Sequence, residues 1–162
     1  MNDERLRALE ILDAQEGTGP VPILTGDEPA RLLARAKRIA MVGASANSAR
    51  PSHGVMRQLL GWGYEVVPIN PNGTEILGQH VYATLEEATD AAGHFDVVDV
   101  FRRPGHTPDI ARSAVATGAG ALWLQLGVVN WDAAQIAHDG GLPVVMDRCT
   151  AIEHRRIALL KP

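Results

Sequence analysis

The chain has 162 residues, 46% of them hydrophobic, enough for one well-buried domain and too few for two comfortable ones. A formal net charge of −4 supplies no global basic field for nucleic acid, so any phosphate site has to be local, built from a few arginines and backbone N–H groups. The single cysteine, Cys149, cannot close an internal disulfide, residues Met1 to Leu12 lack the unbroken apolar run of a signal peptide, and no stretch approaches the roughly 20 apolar residues of a membrane span. A soluble cytoplasmic domain is expected, with neither membrane nor nucleic acid as partner.

Leu6, Leu9 and Leu12 sit at near-helical spacing and predict a short amphipathic helix over Asp3 to Leu12. Gly17 to Pro22 is turn-rich and is expected to wrap over the surface. Asp27 to Lys37 reads as a second helix with Leu32, Leu33 and Ala36 on its apolar face. From Arg38 the pattern becomes regular. Arg38 to Gly43 is an apolar run of the kind found in a parallel strand buried on both faces. Pro51-Ser52 opens a helix carrying Val55, Met56, Leu59 and Leu60, closed by Gly61 and Gly63. A second strand, Glu65 to Asn70, stops at Pro71-Asn72-Gly73. A short strand around His80 to Ala83 follows, and Thr84-Leu85-Glu86-Glu87 has the capping-box pattern of a helix start. Further main strands at Asp96 to Phe101, Ala121 to Leu126 and Pro143 to Met146 are followed by helices near Thr107 to Thr117, Trp131 to His138 and Ala151 to Leu160.

This alternation predicts βαβ units and a Rossmann-like, three-layer α/β fold with a mostly parallel sheet of five to six strands. The expected order of the main strands is 3-2-1-4-5, or a close variant with the short strand at one edge. Such a sheet binds ligands beyond the carboxyl ends of its strands, near the switch between its halves. The residues after Val42, Ile69, Phe101 and Leu124 are therefore the ones to inspect.

After the first strand comes Gly43-Ala44-Ser45-Ala46-Asn47-Ser48-Ala49-Arg50-Pro51-Ser52-His53-Gly54. A helix N-terminus offers unpaired N–H groups and a partial positive charge, which together attract phosphate. Gly43 allows a tight turn, Ser45 and Ser52 can donate hydroxyl hydrogen bonds, and Arg50 can pair with a phosphate in bidentate fashion. Gly54 is expected to keep the first helical turn thin. The bland reading is an ordinary strand-to-helix turn with Ser52 as N-cap and Arg50 solvated. The segment is neither G-x-G-x-x-G nor a P-loop.

Sites that prefer NAD place an acid at the end of the second strand to hold the ribose diol. Here the strand ends Ile69-Asn70-Pro71, with no acid before Glu75. That counts against NAD and is compatible with a 3′-phosphorylated ADP-ribose. At the third strand's end, one of the adjacent Arg102 and Arg103 is expected to face the site, and Phe101 could stack on an adenine or simply pack. Gln125 lies in an apolar run and needs a partner if buried. Around the fifth strand's end the plain expectation is an Asp147–Arg148 surface pair, Thr150 as N-cap and Cys149 as a small buried thiol. The six histidines are scattered singly, so neither a metal site nor a complete catalytic set is expected.

Taken together, "MVGASANSARPSHGV", "GYEVVPINPNG", "ILGQHVYATLEEA", "DVVDVFRRP", "ALWLQLGV" and "VVMDRC" resemble the stand-alone bacterial CoA-binding protein family, which is similar to the N-terminal domain of the succinyl-CoA synthetase α-subunit. The resemblance implies coenzyme A or an acyl-CoA as ligand, residues 37–162 as the binding domain and residues 1–36 as a helical extension. It implies that Gly43, Ala44 and Ser45 contact the phosphates or ribose, with Arg50, Ser52 and the adjoining His53 at the helix start. Asn70 and Pro71 would lie beneath the adenosine, Phe101 and Arg102 at the third strand's end, and Gln125 near the pantetheine path. The synthetase's reaction needs a phosphohistidine on a further domain and a partner subunit, and that histidine has no counterpart among these residues. The expectation is a non-catalytic carrier, sensor or partner module, with a protein partner or homodimer possible. The alternatives are an NAD(P)-binding oxidoreductase or redox sensor, and an acyl-CoA-using enzyme that needs a partner subunit.

Overall fold

Residues 2–162 are described by a computed structural model. The apolar runs become strands Arg38–Val42 (β1), Glu65–Ile69 (β2), Val97–Val100 (β5), Leu122–Leu124 (β6) and Val144–Val145 (β7). All pair in parallel in one sheet, ordered β2-β1-β5-β6-β7. Two short strands, Glu75–Ile76 (β3) and Gln79–His80 (β4), form a separate antiparallel hairpin. The expected order 3-2-1-4-5 fails for the main strands, which run 2-1-3-4-5. The segment around His80 takes the outer place instead: Tyr82 bridges Ile69 in parallel, donating its N–H to the Pro68 carbonyl. Its neighbours Gln79 and His80 pair with β3, so only a one-residue bridge reaches the sheet. Local pattern marks an extended segment but carries no information about which neighbour it pairs with.

Strand residues alternate between two cores. Ala40, Val67, Val98, Val100, Leu122, Leu124 and Val144 face helices Leu85–Ala92 (α4), Thr107–Ala116 (α5) and Trp131–Asp139 (α6). Ile39, Met41, Val66, Val97, Trp123 and Val145 face Glu28–Arg35 (α2), Pro51–Gly61 (α3) and Thr150–Arg156 (α7). Full burial of side chains such as Leu33, Met56 and Leu59 stabilises the second core by about 1.5–3 kcal/mol each. No described helix is long and apolar enough to cross a membrane.

The first helix, Asp3–Glu16 (α1), is longer than expected and is turned the other way. Leu6, Leu9 and Leu12 are 51%, 47% and 45% exposed, whereas Ala14 is buried and Ile11 packs on the first core. A spacing of three drifts by about 60° per step around a helix, so the leucine row is not the face that docks. Downstream, Val21 is buried and the Leu24 N–H bonds the Val144 carbonyl, so this stretch is anchored to β7. Gly19 lies so close to the Trp131 ring that a Cβ there would come within 2.1 Å of it. Gly19→Ala is therefore expected to displace the indole and cost about 1–3 kcal/mol, with a shift in tryptophan emission; unchanged urea unfolding would refute this contact.

Candidate functional site

The chain crosses from β1 to β2 on one side and then back past β1 to β5 on the other, and a cleft of about 590 Å³ opens at that switch point. Its volume lies within the range usual for small-molecule sites. Gly43 makes the turn that starts it. It has φ +86, its N–H bonds the Ile69 carbonyl at 2.9 Å, and its missing Cβ leaves room for the Phe101 carbonyl of the next strand. The following loop holds itself in shape: Ser45 Oγ accepts the Asn47 N–H at 3.1 Å, and Asn47 Oδ1 accepts the Ala49 N–H at 2.9 Å. Such local side-chain to backbone bonds let a loop pause before entering a helix. Arg50 is the N-cap of α3 and makes no side-chain cap bond, so Ser52 stands one residue inside the helix rather than at the cap.

Along the carboxyl edge the lining changes in character. Asn70, Ser45, Arg50 and Ser52 border the cleft near β2 and β1, Phe101, Arg102 and Arg103 follow at β5, and Gln125, Leu126, Val128, Cys149 and Ile152 complete it beyond β6 and β7. One side thus offers guanidinium groups and a helix start, the other an apolar wall. Asn70 closes the β2 end: its Nδ2 donates to the Ala44 carbonyl at 2.8 Å, and its Oδ1 accepts the Asn72 N–H at 2.8 Å.

Beneath Gln125 lies a buried polar triad. Gln125 Nε2 donates to Asp99 Oδ1 at 2.6 Å and to Thr150 Oγ1 at 2.9 Å, and the Thr150 hydroxyl donates to Asp99 Oδ2 at 3.0 Å. Asp99 is fully buried between Met41 and Trp123, its partners in register on β1 and β6. Burial pushes its carboxyl up to about 7, against the opposing pull of the Gln125 and Thr150 hydrogen bonds. Cys149, not Thr150, is the N-cap of α7, because the threonine hydroxyl is engaged with Asp99.

Eight of the sequence-predicted residues meet at this cleft: Gly43, Ser45, Arg50, Ser52, Asn70, Phe101, Arg102 and Gln125. Three side chains do not. Ala44 is fully buried in the core, and only its backbone is near the site. His53 is buried and does not line the cleft, its Nδ1 3.5 Å from Arg57 Nη2 on the next turn. Pro71 borders a neighbouring groove with Ile69, Ala83 and Thr84. Both arginines after β5 border the cleft, contrary to expectation, and each also lines a different adjoining pocket. Cys149 is half-buried rather than fully buried: it packs against the second core and borders the cleft. Asp147 and Arg148 do not pair: Arg148 Nη1 reaches Glu153 at 3.2 Å, while Asp147 accepts from the Gly127 N–H at 2.7 Å and Gln15 Nε2 at 3.0 Å. A Cβ on Gly54 would meet no atom within 4 Å, so nothing in the protein itself requires a thin turn there. The sequence reasoning missed Asp99, although an acid inside the apolar run Val97-Val98-Asp99-Val100 was a usable signal.

A doubly wound parallel sheet with a glycine-turned loop, a helix start and an arginine-bordered cleft at its switch point defines a Rossmann-like α/β module. Its sequence narrows that class: residues 37–155 match the CoA binding domain model, and the chain belongs to that family. It is similar to the uncharacterized protein YneT of Bacillus subtilis (strain 168), 39% identical over 123 residues that span 76% of this chain and 89% of the relative. Among solved structures it is similar to a hypothetical protein from Pyrococcus horikoshii OT3, with 37% identity, TM-score 0.77, and 82% of this chain and 92% of that one covered. A dinucleotide forming acetyl-coenzyme A synthetase 1 from Ca. Korarchaeum cryptofilum shares the fold alone, at 21% identity and TM-score 0.60 over 68% of this chain and 26% of the synthetase.

Proposed function

We propose that this chain binds coenzyme A or an acyl-CoA in the switch-point cleft, as a non-catalytic carrier, sensor or partner module. The observation that carries this reading is the lining of the cleft in a member of the CoA-binding domain family: Arg50 and Arg102 beside the Gly43 loop and the α3 start, then an apolar wall at Leu126, Val128 and Ile152. Phosphates suit the first side and a pantetheine chain the second. Asn70 supports CoA over NAD, because both ends of its side chain are taken by the backbone and no carboxylate is offered to a ribose diol. Residues 37–162 form the binding domain in this reading and residues 1–36 an extension, in a reducing, cytoplasmic setting. The support for a non-catalytic role is narrower: among the described residues lining the cleft, no His, Asp or Glu stands with Cys149 as a general base.

Calorimetric titration of the purified chain with CoA, acetyl-CoA, NAD and NADP tests the reading. CoA is expected to bind at least about tenfold more tightly than NAD, and equal or tighter NAD binding would overturn it. Arg50→Ala and Arg102→Ala are each expected to weaken CoA about ten- to a hundredfold, the worth of one charge-assisted hydrogen bond of about 1.5–3 kcal/mol. If both variants keep the parent affinity, phosphate is not held by these side chains.

A further inference from the structure

A second pocket, of about 620 Å³, adjoins the cleft at Arg103 and Pro104, which line both. Its far wall comes from α1, through Arg7, Glu10 and Ile11, and so from residues outside the 37–155 family match. Val129 is buried at its base, and His106 stands at its rim beside Arg103. Two guanidinium groups and an imidazole thus face a single carboxylate. Among the described residues, none of Arg7, Glu10, Arg103 and His106 takes part in an ion pair. The two guanidinium groups are therefore not already engaged with acids of the protein.

The wall is held in place by a dedicated set of bonds. Gln15 of α1 donates to Asp147 Oδ2 at 3.0 Å, and Asp147 Oδ1 accepts the N–H of Gly127, itself a lining residue, at 2.7 Å. Asp147 adopts φ +58, a left-handed conformation that a non-glycine residue takes at a cost of about 1–2 kcal/mol. That strained carboxylate joins the extension to the loop after β6, so α1 is docked beside the cleft by specific contacts rather than by apolar packing alone.

We infer that this second pocket receives the acyl portion of an acyl-CoA whose chain ends in a carboxylate, with Arg7 and Arg103 holding that distal group and Ile11 and Val129 packing on the methylenes. The inference rests on the CoA reading of the adjoining cleft. It makes the N-terminal extension a specificity element rather than a cover for the core.

Titration of the full chain with CoA, glutaryl-CoA and pentanoyl-CoA tests it, since the two thioesters have equal carbon counts and differ in a terminal carboxylate against a methyl. Glutaryl-CoA is expected to bind at least about tenfold more tightly than pentanoyl-CoA, one charge-assisted contact being about 1.5–3 kcal/mol. Arg7→Ala, at an exposed helix position, is expected to abolish that preference and leave the affinity for free CoA unchanged, and Arg7→Lys to restore part of it. Equal binding of the two thioesters, or a preference that survives Arg7→Ala, would overturn the inference while leaving the CoA site standing. Failure of all three ligands to bind would overturn both readings together.

Discussion

Gly43→Ala is expected to destabilise the protein by about 3–5 kcal/mol and, in whatever fraction folds, to weaken CoA binding more than a hundredfold. Two costs combine at this position. At φ +86 an alanine pays about 1–2 kcal/mol for left-handed backbone. Its Cβ would also stand 2.5 Å from the Phe101 carbonyl oxygen and 2.9 Å from its carbon, and neither atom belongs to a side chain that could swing away. Phe101 cannot retreat cheaply, because its N–H bonds the Val42 carbonyl at 2.8 Å and extends the β1–β5 ladder. Relief by movement of the loop would shift the α3 start and Arg50 relative to the cleft. Gly54→Ala is the matched control: no atom lies within 4 Å of its Cβ, and a helical position favours alanine by up to about 1 kcal/mol. Urea unfolding of the two variants should therefore move in opposite directions. Equal midpoints would show that the Gly43 turn tolerates a side chain.

Asp99 gives the second large effect, read as a pH dependence. Its carboxyl titrates at about 7 in the folded chain against an ordinary 3.8, so between these values the native state holds a proton that the unfolded chain has lost. The associated stability is complete below pH 3.8 and is lost as pH rises through about 7, because ionisation is easier in the unfolded chain. The full difference corresponds to about 4 kcal/mol. Asp99→Asn stays neutral throughout, and its amide can still meet Gln125 and Thr150 if the threonine hydroxyl reverses its role. Comparing wild type with Asp99→Asn at pH 5 and pH 8 cancels the other titrating groups. The variant is expected to gain about 3 kcal/mol relative to wild type between those pH values. A difference that stays constant would mean that Asp99 is not a neutral buried acid at pH 5.

The parts of this molecule that are legible in the chain are those set by neighbours in sequence. Val97 to Val100 reads as a strand because its side chains are buried on both faces, and the helix from Thr84 is announced by a cap whose hydroxyl does accept the Glu87 N–H at 3.1 Å. Asn130 caps the Trp131 helix in the same local way, through the Ala133 N–H at 2.9 Å. What could not be read is direction and pairing. Ser52 and His53 are consecutive, yet one borders the cleft and the other is buried against the next turn, because adjacent helical positions point about 100° apart. Gln125 could be marked as needing a partner, but its partners come from 26 and 25 residues away.

For the Gly43 to Gly54 loop itself, the amino-acid order was enough to place a glycine-started turn between a strand and a helix, since glycine, small polar residues and a proline-started helix act over a few residues. It was also enough to withhold an acid from the end of β2. Only the tertiary structure decided which side chains share the cleft, that the main strands run 2-1-3-4-5, and that α1 turns its leucines outward to bring Arg7 beside Arg103. These outcomes depend on contacts between segments far apart in the chain, such as Gln15 with Asp147 and Asp99 with Thr150. Such contacts form only when the sheet has brought its carboxyl edge together, and no local pattern encodes them.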